Sequence, residues 1–121
     1  MKIFAIGGGG NGRPGRPYEI LKFDKEIIAL SAKENPRLLC ISFAQKTKES
    51  AQEYFDAINK NFSALGCACW HVKDEDLKDI KNIEEKINSS DIIYVFGGNT
   101  LKLMNIFRKY KIDKMLEEVG V

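Results

Sequence analysis

The sequence predicts an α/β domain, a doubly wound parallel sheet in the flavodoxin-like strand order 2-1-3-4. Three observations carry this. Four short apolar runs alternate with longer amphipathic segments along the 121 residues, as strands joined by crossover helices do. Most of the runs are nearly continuous in apolar residues rather than alternating, which suits parallel strands covered on both faces. Each run stops at a glycine-rich or polar segment, where such sheets place their carboxyl-edge loops.

The elements follow in order. Lys2–Ile6 (KIFAI) is the first predicted strand and runs into Gly7–Gly12. Pro14 and Pro17 delay the first helix, whose core face is carried by Phe23, Ile27, Ile28 and Leu30 and which closes at Asn35-Pro36. Arg37–Phe43 (RLLCISF) is the second strand. The next helix carries Ala51, Tyr54, Phe55, Ile58, Phe62 and Leu65 at three- and four-residue spacing, one apolar stripe. Thr47 or Ser50 can cap its start, Ser50-x-x-Glu53 fits a capping box, and Gly66 suits the position after its end. Cys67–Val72 (CACWHV) is the third strand. A short helix starts near Asn82, whose side chain can cap it, with Glu85 three residues on. Asp91–Phe96 (DIIYVF) is the fourth strand. A helix capped by Thr100 turns Leu103, Met104 and Phe107 inward. A last one, capped by Asp113, carries Met115, Leu116 and Val119.

Composition narrows the function classes. The chain is 44% hydrophobic and 30% charged, as a soluble globular domain is. Nineteen basic and 17 acidic residues are well mixed and leave a net charge of +2. There is no concentrated basic face for nucleic acid; Arg108-Lys109-Tyr110-Lys111 reads as a solvated helix end. No apolar stretch approaches a membrane span, and Ile3–Ile6 is too short for a signal peptide core. Three cysteines, two nearly adjacent, suggest reduced thiols rather than a disulfide framework. The expected compartment is the cytoplasm, and neither nucleic acid nor a membrane is an expected partner.

Ligands in open α/β sheets bind at the carboxyl ends of the strands. That selects Gly7–Gly12, Ala44–Thr47, Lys73–Asp76 and Gly97–Thr100. Gly7-x-Gly9-x-x-Gly12 fits the dinucleotide pattern formally, but Arg13-Pro14-Gly15-Arg16-Pro17 keeps a helix from opening on the third glycine. The Walker pattern fails, since Gly12 is not followed by Lys and a hydroxyl residue. No cofactor is expected. Cys67-x-Cys69-x-His71 puts two thiols and an imidazole on one strand face, with neighbours ~6.5–7 Å apart. The strand should lie inside the sheet and no further Cys or His completes four ligands, so the expected role is structural and no metal is expected. Gly97-Gly98-Asn99-Thr100 reads either as a plain strand-to-helix turn or as an oxyanion hole. In the second case a backbone N–H stabilises charge developing on a carbonyl oxygen.

The chain resembles the N-terminal part of the peptidase E and cyanophycinase family of serine peptidases, which share a class I glutamine-amidotransferase-like fold. The matching pieces are the opening strand into "IGGG", then "PRLLCISFA", "EYFDAINKNFSALG" and "DIIYVFGGNTLKLM". The last is the most specific, because the family's fourth strand ends in Gly-Gly-Asn followed by Thr. Ser42 stands where many members have Pro, Phe96 replaces the first glycine of the usual Gly-Gly-Gly-Asn, and the "GNGRPGRP" insert is unusual for the aspartyl dipeptidases. These departures bear on substrate preference.

The resemblance implies a single peptidase-E-like domain of which residues 1–121 form the N-terminal portion, and hydrolysis of short, perhaps aspartyl, peptides through an acyl-enzyme. It matches Gly98 to the glycine whose N–H forms half of the oxyanion hole, with Gly97, Asn99 and Thr100 on the substrate side. The family's nucleophile is a serine in a Gly-x-Ser-Ala-Gly elbow one strand further on, served by a later histidine and an acid. Gly120-Val121 resembles the start of that strand, so the chain is expected to stop before the nucleophile and to be inactive alone. Ser42 and Ser50 are expected to be poor substitutes, with no elbow and no histidine placed for either. The other readings are a non-catalytic α/β module holding a small anion or peptide carboxylate, and an amidotransferase-like domain with a cysteine nucleophile. In the expected order the fourth strand is an apolar edge, through which the chain would self-associate.

Overall fold

Each apolar run becomes a strand, and all four strands join one parallel sheet. The computed structural model describes residues 34–119, the strand at residues 3–7 and position 29. The strands are β1 (Ile3–Gly7), β2 (Arg37–Ile41), β3 (Ala68–Val72) and β4 (Ile92–Phe96). The helices are α1 (Lys48–Ala64), α2 (Ile80–Ser89), α3 (Thr100–Lys109) and α4 (Ile112–Glu118). A short 3-10 helix, Asp74–Lys78, fills what the sequence suggested was a loop. The glycine run at 8–12, the first expected helix and the expected strand at Gly120-Val121 lie outside the described residues.

The strand order is β1-β4-β2-β3 rather than the expected 2-1-3-4. β4 lies between β1 and β2 and pairs with both, Ile93 standing beside Phe4 on one side and Leu39 on the other. The reason is in the side chains. All five residues of β4 (IIYVF) are buried, so this strand needs cover on both faces and neighbours on both sides. β3 buries only Val72 fully and leaves Ala68 exposed, which an outer strand tolerates. The expected self-association through a β4 edge therefore loses its basis, because the β4 backbone groups are already paired.

Two buried clusters lie on opposite faces of the sheet. On one, Leu39, Ile41, Ile93 and Val95 meet Ile83 and Ile87 of α2, Phe107 of α3, and Ile112 and Leu116 of α4. On the other, Leu38, Cys40, Ile92 and Tyr94 meet Ile58 and Phe62 of α1. The crossover from β2 to β3 runs one way along the sheet and that from β3 to β4 runs back. Both can be right-handed only with their helices on opposite faces, which is where α1 and α2 lie.

Local chemistry sets the helix ends. Thr47 caps α1: its Oγ1 accepts from the Ser50 N–H at 3.0 Å, and the Ser50 hydroxyl accepts from the Thr47 N–H at 3.4 Å. The capping box is thus Thr47-x-x-Ser50, three residues ahead of the expected Ser50-x-x-Glu53. Gly66, at φ +96°, follows the end as expected. The Cys67 and Gly66 N–H groups there return to the Phe62 and Ser63 carbonyls, which makes a Schellman motif. Asp79 rather than Asn82 caps α2, and Asn99 rather than Thr100 caps α3. α4 starts after Lys111, which holds a left-handed conformation at φ 59°, and Asp113 sits inside its first turn.

Candidate functional site

β4 delivers the Gly97-Gly98 pair to the carboxyl edge at the middle of the sheet. Gly98 is exposed and has φ +141°, a conformation open to glycine and rarely to other residues. A Cβ there would overlap the Ala44 carbonyl oxygen and lie 3.0 Å from the Ala44 carbonyl carbon. The glycine is therefore needed twice, for its dihedral and for the close approach of two loops. The contact is cemented by the Asn99 N–H, which donates to the Ala44 oxygen at 2.8 Å. Among the described residues the Gly98 N–H itself has no hydrogen-bond partner.

The loop between β2 and α1 grips the Gly97-Gly98 turn from one side. Gln45 Nε2 donates to the Gly97 oxygen at 2.5 Å. The Gln45 backbone is held in turn: its N–H donates to the Ser42 oxygen at 3.0 Å, and its oxygen accepts from Lys102 Nζ at 2.8 Å. Lys102 also reaches Asp74 Oδ2 at 3.1 Å, so one ammonium joins the loops after β2, β3 and β4. A cation in the first turn of a helix opposes the helix dipole. Lys102 occupies such a place in α3, and its two oxygen partners explain why it is tolerated there.

Under the glycines lies an apolar cleft of about 530 Å³. Ala44, Gly97, Gly98, Leu103, Phe107 and Leu116 line it, together with Asp113 and Glu117. Met104, expected to face inward, is 38% exposed beside it. Of the four residues singled out by sequence, Gly97 is half-buried and has its carbonyl taken by Gln45. The Gly98 N–H has no partner among the described residues. Asn99 spends its Oδ1 on the Lys102 N–H at 3.0 Å as the α3 cap, with an extended backbone rather than a left-handed one. Thr100 is exposed in the first turn of α3 and borders the cleft. Gln45 and Lys102 were not singled out by sequence. The only signal for either was the misplaced charge of Lys102.

The sequence expectation that no histidine is placed for Ser42 is corrected by the structure. His71 Nε2 lies 2.9 Å from Ser42 Oγ. β2 and β3 pair with Cys40 beside His71, and this register carries the ring to the residue just past the end of β2. Ser42 is only 2% exposed, and its hydroxyl also donates to the Val72 oxygen at 3.2 Å. The ring stacks on Phe55, with centroids 4.6 Å apart and planes 8° from parallel. Burial, helped by the nearby Lys73 ammonium, pushes the imidazole pKa down to about 4. His71 is thus neutral near pH 7. Burial likewise raises the Cys69 thiol and, with Cys69 beside it, the Cys40 thiol. Cys67 and Cys69 face the α1 side and pack in its cluster. Among the described residues no three His, Cys, Asp or Glu side chains are grouped as a metal ion requires. No described helix is long and apolar enough to cross a membrane.

Known proteins share this fold. The chain is 29% identical over 119 residues to the uncharacterized peptidase YgaJ of Bacillus subtilis (strain 168), covering 97% of this chain and 48% of that protein. The crystal structure of a peptidase E candidate from Listeria monocytogenes EGD-e superposes with a TM-score of 0.66 at 18% identity, over 98% of this chain and 53% of the other. This likeness shows the shared fold. The chain spans about half the length of each of these relatives. The profile of peptidase family S51 matches residues 3–120, nearly the whole sequence, and the chain belongs to that family.

Proposed function

We propose that residues 1–121 form the N-terminal portion of a single peptidase-E-like domain and supply the oxyanion donor of a serine-type peptidase. The observation that carries this reading is the Gly98 N–H. Gly98 is exposed at the carboxyl end of a central strand and lines an apolar cleft, and its N–H lacks a partner among the described residues. A donor fixed in advance at a place of low polarity is what a developing alkoxide needs, because it costs no reorganisation during the reaction. Gly97, Asn99 and Thr100 shape the substrate side. The substrate is a short peptide, with aspartate on the acyl side as the narrower form of the proposal. On this reading the nucleophilic serine, its histidine and the orienting acid would lie in a part of the domain that residues 1–121 do not include; the chain spans about half of the relatives' length.

The test removes one hydrogen. Proline cannot serve, because its ring holds φ near −65° and Gly98 sits at +141°. Replacing Gly98 by glycolate through protein ligation turns the amide into an ester and deletes the N–H while keeping the backbone course. In a protein carrying this chain joined to a family elbow, the ester should lower kcat for a dipeptide about 10²–10³-fold with KM little changed. The 121-residue chain should neither hydrolyse the dipeptide nor react with a fluorophosphonate. An ester variant of unchanged kcat, or robust hydrolysis by the short chain, would overturn the reading. No hydrolysis by either protein would favour a non-catalytic binding module.

A further inference from the structure

The N–H of Gly98, without a partner among the described residues, belongs to a peptide unit flanked by glycine on both sides. No peptide bond among the described residues is cis, so the Gly97 carbonyl and the Gly98 N–H point in opposite directions from one rigid plane. Turning either group turns the other. In most sequences a half-turn of such a plane drives a carbonyl against a Cβ. Between Gly97 and Gly98 there is no Cβ on either side, so the flip meets little steric resistance. A flipped plane would put a carbonyl oxygen where the N–H now stands, and a carbonyl repels an oxyanion. The next plane along the chain is fixed by the bond from the Asn99 N–H to the Ala44 oxygen. Among the described residues, the only hydrogen bond to the Gly97-Gly98 plane comes from Gln45 Nε2.

We propose that Gln45 is a positioning residue that fixes the orientation of the Gly97-Gly98 peptide plane, by donating its side-chain amide to the Gly97 oxygen. The catalytic meaning of this rests on the oxyanion role proposed for Gly98; the conformational claim does not. The Gly97 oxygen can only accept, so the nitrogen of the Gln45 amide is the end that faces it. Gln45 suits the task because its own backbone is anchored at both poles, by the Ser42 oxygen and by Lys102 Nζ. Lys102 and Asp74 thus act one step further back, holding the residue that holds the glycines. Loss of the Gln45 donor lets the plane populate both orientations, and only one of them offers an N–H.

Nuclear magnetic resonance of the isotopically labelled 121-residue chain reads this directly. In the unsubstituted chain, a scalar coupling across the hydrogen bond should link the Gln45 side-chain nitrogen to the Gly97 carbonyl carbon. Gln45→Met keeps the length and removes the donor. It should move the Gly97 carbonyl resonance toward that of a non-bonded carbonyl. It should also broaden or double the Gly98 amide signal and change the nuclear Overhauser effect between the Gly97 α-protons and that amide. Gln45→Glu is the reversible control. Its carboxylate cannot donate, so near pH 7 it should resemble Gln45→Met. Acidification through the carboxylate range restores an O–H donor, and the native Gly97 and Gly98 signals should return. A side chain that merely filled space would show no such recovery.

Unchanged Gly97 and Gly98 signals in Gln45→Met, a missing coupling in the unsubstituted chain, or no recovery of Gln45→Glu in acid would each overturn the proposal. These outcomes are separate from the glycolate test. A plane that flips without Gln45 while the Gly98 ester keeps full turnover would leave the positioning correct and the oxyanion role wrong.

Discussion

Gly98→Ala should be among the most damaging single-methyl additions in this protein, and its cost can be built from the structure. The new Cβ would overlap the Ala44 carbonyl oxygen, which is backbone and cannot rotate aside as a side chain could. An alanine at φ +141° also carries backbone strain of about 1–3 kcal/mol. Relief of the overlap parts the two loops and weakens the bond from the Asn99 N–H to the Ala44 oxygen, a net loss of about 0.5–1.5 kcal/mol. Together these give about 1.5–4.5 kcal/mol. For a domain of this size that moves the urea midpoint down by about 1–2 M. Gly97→Ala is the control, since Gly97 is not among the described glycines of positive φ, and it should cost under about 1 kcal/mol. Equilibrium unfolding in urea, followed by circular dichroism and Trp70 fluorescence, measures both. Equal losses for the two variants, or a loss below about 0.5 kcal/mol for Gly98→Ala, would refute the close-approach reasoning.

Phe62→Ala, at a fully buried ring in the α1 cluster, should cost about 3–5 kcal/mol in the same urea experiment. Thr47→Ala should cost about 1 kcal/mol, because it removes the oxygen that accepts the Ser50 N–H, and Thr47→Ser should recover most of it. His71 carries a pH dependence of definite sign. Its folded pKa of about 4 lies below the unfolded value of 6.5, so the unfolded chain binds the extra proton and stability falls as pH drops from about 6.5 to 4. The full shift corresponds to about 3 kcal/mol. Solvent still reaches part of the ring, so a loss of about 1–2 kcal/mol is expected, and His71→Phe should flatten that limb of the stability–pH curve.

The strands were legible because their physics is local. A run such as Ile92–Phe96, apolar at every position, has no polar face to show solvent and must be covered twice. The same run held the clue to the strand order: a strand buried at all five positions belongs inside the sheet, whereas the mixed burial of Ala68–Val72 marks an outer strand. Helix caps slipped by one to three residues wherever two good cappers stood close together. Asn99 took the place expected for Thr100, and Asp79 the place expected for Asn82. Nothing in sequence ranks such neighbours; backbone geometry decides. Gln45 was hidden for a different reason. Its partner Gly97 is 52 positions away, and the pairing exists only because β4 lies beside β2.

The same register produced a Ser–His contact that invites a catalytic reading, and the atoms argue against it. A nucleophilic hydroxyl must be reachable by a carbonyl carbon and must give its proton to the imidazole as it attacks. Ser42 is 2% exposed, and its hydroxyl is within bonding distance of the Val72 oxygen as well as of His71. With the hydroxyl proton on Val72, the neutral imidazole is the donor and Ser42 the acceptor, the reverse of what attack requires. The stacked Phe55 fixes the ring in place. The arrangement is instead well made for tying β3 to the end of β2, three residues before Gln45. What that tie steadies is the loop bearing Ala44 and Gln45, whose carbonyl and side chain hold the two peptide planes beside Gly98. Ser42 and His71 thus serve this edge by holding the strand ends still, whereas the oxyanion donor we propose, the Gly98 N–H, is a backbone group that no sequence letter names.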